Sequence, residues 1–123
     1  GRWTTVSSNP KIIFDAAHNL AGFKSISSEL DKLKYNQLHI ILAFIKGKNI
    51  SELISTLPLN SNIYYTSINM ERGMTQSEII QNVGRSIIFD ENPKRLLDTV
   101  KGHCSNQDII LITGSNFIAK SIL

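Results

Sequence analysis

Residues 11–19 read Lys11-Ile12-Ile13-Phe14-Asp15-Ala16-Ala17-His18-Asn19: an apolar run that stops at an acid, two minimal side chains, an imidazole and an amide. A short run without polar alternation is the pattern of a strand covered on both faces, as in a parallel sheet. The pattern recurs. Ile-rich runs at residues 38–44, 62–67, 86–89 and 108–113 follow at intervals of about 20–25 residues, with helical periodicity between them, which implies βα repetition. Residues 3–7 read as a further strand. It is joined to the first run through Ser8-Asn9-Pro10, whose turn chemistry favours a hairpin and so one antiparallel edge strand. The expected fold class is therefore α/β: a three-layer, doubly wound, Rossmann-like sheet of about five parallel strands plus one antiparallel edge strand.

The expected helices are residues 21–35, 50–57, 76–82, 93–102 and 116–123. In the first, Phe23, Ile26, Leu30 and Leu33 recur at spacings of three and four and form one apolar stripe. Asn92-Pro93 reads as an N-cap followed by the first helical position, and Gly102 as the stop. No internal repeat or low-complexity tract breaks the chain, so residues 1–123 read as one domain.

Composition narrows the function classes. The chain has 123 residues, 41% of them hydrophobic and 19% charged, which suits one globular core without a covalent staple. Its single cysteine, Cys104, cannot form an internal bridge and suits a reducing, cytoplasmic setting. It reads as an inert thiol with no histidine placed beside it. A net charge of +3 is too small and scattered for a nucleic-acid surface, and no apolar run approaches a membrane span. No signal peptide is recognised at the start, and the abrupt beginning at Gly1 reads as a piece cut from a longer protein. His39 and His103 lack zinc-ligand spacing, so no metal site is expected.

In a doubly wound sheet ligands gather at the carboxyl ends of the strands. There Asp15 can accept two hydroxyl hydrogen bonds, as an acid that holds a ribose does, while Ala16 and Ala17 let a ligand approach the backbone. His18 can donate to an anion at the following helix start, and Asn19 can cap that helix. The same residues are also ordinary turn formers: Asp15 and Asn19 can simply end the strand and open the helix. Asp108-Ile109-Ile110-Leu111-Ile112-Thr113-Gly114-Ser115 repeats the logic, with Gly114 permitting positive φ and Ser115 offering a hydroxyl at a helix start. Arg2, Lys46, Lys48 and Arg72 are the basic residues expected near the rim; Lys24, Lys32, Lys34, Lys94 and Lys120 are assigned to solvated faces.

Gly1-Arg2, Asp15-Ala16-Ala17-His18-Asn19 and Thr113-Gly114-Ser115, in that order and at those separations, resemble the C-terminal domain of folylpolyglutamate and dihydrofolate synthases in the Mur ligase superfamily. The resemblance spans essentially the whole chain, and Arg72 falls where that family often has an arginine. The sequence departs from the family pattern in three places: Ala16 stands for Gly, Leu20 for Pro, and Gly47-Lys48-Asn49 for Asp-Lys-Asp. The resemblance implies an ATP-dependent ligase that joins L-glutamate to a folate or dihydropteroate carboxylate through an acyl phosphate. It assigns the phosphate-binding loop and the Mg2+ ligands to an N-terminal ATPase domain outside this chain, implies a monomeric enzyme, and leaves the isolated domain inactive. It implies that Arg2 and Asp15 bind the nucleotide, that His18 and Ser115 lie near the transferred phosphoryl group or the glutamate, and that Asn19 and Arg72 bind substrate. His18 is the catalytic candidate. Another Mur-type amide ligase, a non-catalytic nucleotide-binding module and a purely structural interaction domain are the alternatives.

Overall fold

The computed structural model describes residues 3–43, 49–66, 86–116 and 118–123. The elements are β1 (Thr4–Ser8), β2 (Lys11–Phe14), α1 (Leu20–Asp31), β3 (Leu38–Leu42), α2 (Ile50–Ser55), β4 (Ser61–Thr66), β5 (Ile87–Asp90), α3 (Pro93–Gly102), β6 (Ile109–Thr113) and α4 (Ile118–Ile122). The strands form one six-stranded sheet in the order β1-β2-β6-β3-β4-β5. All neighbours are parallel except β1 and β2, so the expected five parallel strands and one antiparallel edge are present. The expected helix at residues 76–82 lies outside the described residues.

Two apolar clusters sandwich the sheet. Ile13, Ile40, Leu42, Ile63 and Leu111 point to one face and meet Phe23, Ile26 and Leu30 of α1 and Leu53 and Ile54 of α2. Ile12, Ile41, Ile110 and Ile112 point to the other and meet Leu96, Leu97 and Val100 of α3 and Ile118 and Ile122 of α4. Successive strand residues thus serve opposite layers, which is why the runs lack polar alternation. Chain direction and layer reverse together. From β2 to β4 the chain moves outward with α1 and α2 on the first face; from β5 it returns to β6, between β2 and β3, with α3 on the second. Right-handed crossovers require that coupling. The reversal leaves the carboxyl ends of β2, β6 and β3 side by side.

The helix starts are fixed locally. The side chains of Asn19, Asn49 and Asn92 accept hydrogen bonds from the amides of Gly22 (2.9 Å), Glu52 (3.2 Å) and Arg95 (3.0 Å). Each satisfies an amide that the first helical turn would leave bare. The ends deviate from expectation. α1 stops at Asp31, not at residue 35, because the chain must leave the helix layer: the Asn36 amide donates to the Gln107 carbonyl (2.8 Å) and the Gln37 amide to Asp108 Oδ1 (3.1 Å). α2 stops at Ser55, two residues early. α3 ends at Gly102, but that glycine is still helical, and the right-handed His103 (φ −98°) makes the cap. At the edge, β1 carries a register shift between Thr5 and Ser7 that leaves Val6 unpaired, a device that blunts edge-to-edge pairing. Among the described residues no helix is long and apolar enough to cross a membrane.

Candidate functional site

The carboxyl ends of β2, β6 and β3 are joined by backbone bonds beyond the ladders. The Asp15 amide donates to the Ile112 carbonyl (3.0 Å), the Gly114 amide to the Ala17 carbonyl (3.0 Å), and the Ala43 amide to the Thr113 carbonyl (3.2 Å). Thr113 Oγ1, fully buried, also reaches the Ala17 carbonyl at 3.4 Å. The segment 15–17 is therefore held against the end of β6 as a fixed platform. Gly114 is required there. Its φ is +110°, and a Cβ would stand 2.5 Å from the Ala43 carbonyl oxygen, so only glycine allows β3 and β6 to approach this closely. Gly22 has a similar role: a Cβ would lie 2.8 Å from Ala17 Cβ, so its absence lets α1 start directly over the platform.

Asp15 is buried at 8% exposure, and its Oδ1 accepts from the Ala17 amide at 2.9 Å. That bond is a local Asx turn: it ends the strand and aims the carboxylate at the rim. Among the described residues no donor meets Oδ2, which leaves an acceptor for a hydroxyl from outside the chain. His18 is exposed, and its Nδ1 lies 3.2 Å from the Ala16 carbonyl. A bond there puts the proton on Nδ1 and leaves Nε2 as the outward acceptor. Asn19 is exposed and spends its side-chain oxygen on the α1 cap. His18 and Asn19 share a cleft of about 140 Å³ with Leu20, Asn49, Glu52 and Leu53, where α1 and α2 both begin.

The sequence reading missed Asn49 and Glu52 as neighbours of His18. The Asn-x-x-Glu spacing of a helix start was their signal. Ser115 is only 2% exposed, and α4 begins at Ile118, so the Ser115 hydroxyl sits beneath the rim and not on a helix start facing solvent. Arg2, Lys46, Lys48 and Arg72 lie outside the described residues. The structure thus brings Asp15, His18, Asn19 and the 113–115 turn to one end of the sheet, and does not bear on the arginines.

One expectation is overturned. Cys104 does have a histidine beside it: His39, Cys104 and Asp108 bring their ligand atoms within 4.8 Å of one another. Parallel pairing of β3 with β6, in which His39 opposes Ile110, carries residues far apart in sequence to one place. Local spacing holds no trace of it.

The comparisons with known proteins agree on the fold. Residues 1–116 match the family described as Mur ligase, glutamate ligase domain. The chain is 31% identical over 118 residues to the dihydrofolate synthase/folylpolyglutamate synthase of Buchnera aphidicola subsp. Baizongia pistaciae (strain Bp), a match that covers 94% of this chain and 28% of that relative. A bifunctional folylpolyglutamate synthase/dihydrofolate synthase from Yersinia pestis, complexed with AMPPNP and Mn ion, superposes with a TM-score of 0.86 at 19% identity, over 98% of this chain and 30% of that one. E. coli FolC in complex with DHPP and ADP superposes with a TM-score of 0.84 at 21% identity, over 98% and 30%. The chain therefore spans less than a third of the length of these relatives.

Proposed function

We propose that this chain, which belongs to the Mur ligase glutamate ligase domain family, is the C-terminal domain of an ATP-dependent folylpolyglutamate/dihydrofolate synthase. The intact enzyme would join the amine of L-glutamate to a folate or dihydropteroate carboxylate activated as an acyl phosphate. The observation that carries this reading is the convergence of Asp15, His18 and Asn19 beside the Thr113-Gly114-Ser115 turn at the point where the sheet reverses direction. Ligands collect at such switch points because the flanking loops diverge there and expose helix starts.

The residues present fit part of a nucleotide. Asp15 Oδ2, fixed by the bond that Oδ1 makes to Ala17, suits a ribose hydroxyl. The phosphates do not fit this chain: the sequence holds no Gly-x-x-x-x-Gly-Lys-Ser/Thr. ATP phosphates and Mg2+ therefore belong to a preceding ATPase domain, with Arg2 reaching the nucleotide from this side. When bound, Mg2+ would neutralise phosphate charge. His18 would lie near the transferred phosphoryl group or the incoming glutamate, where its Nε2 lone pair can accept from the glutamate amine, and Asn19, Arg72 and Ser115 would complete the substrate side. Closure of the two domains would exclude water from the acyl phosphate, which hydrolyses otherwise. The enzyme would work as a cytoplasmic monomer.

The test is the full-length protein with ATP, Mg2+, L-glutamate and either dihydropteroate or a reduced folate. ADP release coupled to a glutamylated product is expected. Asp15→Asn keeps an oxygen for the Ala17 amide but removes the charge, and should raise the KM for ATP about 10- to 100-fold, the value of a hydrogen bond to a charged group. Unchanged ATP dependence in that variant, or glutamate ligation to neither pterin acceptor, sinks the assignment.

A further inference from the structure

At the amino-terminal end of the same strands, opposite the rim, three metal-ligating side chains converge. His39 follows the first residue of β3, Asp108 immediately precedes β6, and Cys104 lies in the turn between α3 and β6. His39 and Asp108 are buried, at 2% and 4% exposure, while Cys104 is half-buried. His39 Nε2 has no hydrogen-bond partner although it is enclosed. It stands 3.7 Å from Asp108 Oδ2, too far for a hydrogen bond and about the separation of two donors on one tetrahedral ion, which is ~3.3–3.6 Å for zinc bond lengths. The three donor atoms all lie within 4.8 Å of one another.

We propose that His39 Nε2, Cys104 Sγ and Asp108 Oδ2 form a zinc-type metal site. An imidazole, a thiolate and a carboxylate are the donor types that a borderline-soft divalent ion selects. The surroundings fit that role. His39 Nδ1 lies 3.1 Å from the Tyr64 hydroxyl, which can accept its proton and leave the Nε2 lone pair for the ion. The Asn62 amide nitrogen, 3.5 Å from the same atom, is the weaker contact. Asp108 is held by amides of two segments, Gln37 to Oδ1 (3.1 Å) and Ser105 to Oδ2 (2.9 Å), each leaving a lone pair. A thiol joins such a site by giving up its proton to solvent as the ion binds. The ion would tie the 103–108 turn to β3 and so serve stability, independently of the ligase reading.

Co2+ is the probe, added to the full-length protein after chelator treatment. One equivalent should produce a thiolate-to-cobalt charge-transfer band that Zn2+ bleaches and that Cys104→Ser abolishes. The serine fits the half-exposed position, and a circular dichroism melt checks that the variant folds. A second readout needs no variant: Zn2+ should slow alkylation of wild-type Cys104, followed by mass spectrometry of its peptide, about 10-fold or more at saturation. Absence of the band, its survival in Cys104→Ser, or equal alkylation rates with Zn2+ and with chelator would overturn the site.

Discussion

Gly114 and Asp108 mark opposite ends of β6, and each ties loops together through one atom set. At Gly114 the backbone lies at φ +110° with Ala43 against the missing Cβ. Gly114→Ala must move β3 away from β6 or strain the turn, and should cost about 3 kcal/mol or more, measured by chemical unfolding. At Asp108, two part-buried hydrogen bonds, from the amides of Gln37 and Ser105, depend on the carboxylate. Asp108→Asn, measured with chelator present, should lose about 1–3 kcal/mol, since the neutral amide offers one acceptor where two were used. The native carboxyl titrates below its ordinary value, so its contribution is complete above pH ~4 and disappears as pH falls through the lowered native value. The wild type should therefore lose stability below pH ~4 more steeply than Asp108→Asn, and equal acid limbs would refute it. At this scale the sequence was partly legible. Asp15 was visible as an acid at a strand end, but its bond to Ala17 depends on a turn conformation that residue types allow without fixing. The His39–Cys104–Asp108 meeting was invisible, because it depends on strand order and register.

Elements were more legible than residues, since a strand buried on both faces must be apolar throughout and few other segments are. The runs at 11–14 and 108–113 match β2 and β6 to within a residue. Helix ends were less legible: the α1 pattern continues through Leu33, yet the helix yields to the crossing into β3, and α2 stops at Ser55 although Pro58 marks a later end. The apolar stripe itself was read correctly, and Phe23, with no exposure, is its largest member. Phe23→Ala should cost about 3–5 kcal/mol, in the range for a fully buried aromatic ring. Asn92→Ala removes only the bond to the Arg95 amide and should cost about 1 kcal/mol. The contrast between the two separates layer packing from local capping; costs of similar size would refute the claim that packing of the layer outweighs the cap.

For the whole molecule, both layers share one sheet, so neither can unfold without exposing the other's strands. Ile12 and Ile13 are adjacent in β2 yet belong to different clusters. This coupling argues that the 123-residue chain folds alone in one cooperative step, although it spans under a third of its relatives' length. Urea unfolding followed by far-ultraviolet circular dichroism and by Trp3 fluorescence should give coincident transitions, and two separated midpoints would show that the layers act independently. The same sample tests the proposed sharing of the nucleotide with a preceding domain. A ligand that binds the folded state raises its stability by RT ln(1 + [L]/Kd), about 2.7 kcal/mol at a hundredfold excess over Kd. If Asp15 is the ribose acceptor proposed above and the phosphates are held elsewhere, as the lack of a Gly-x-x-x-x-Gly-Lys-Ser/Thr in the sequence suggests, millimolar ATP with Mg2+ should leave the midpoint of the isolated chain unmoved while shifting that of the full-length protein. A clear shift in the isolated chain would mean that this rim holds the triphosphate unaided, and that the nucleotide site is not shared across a cleft.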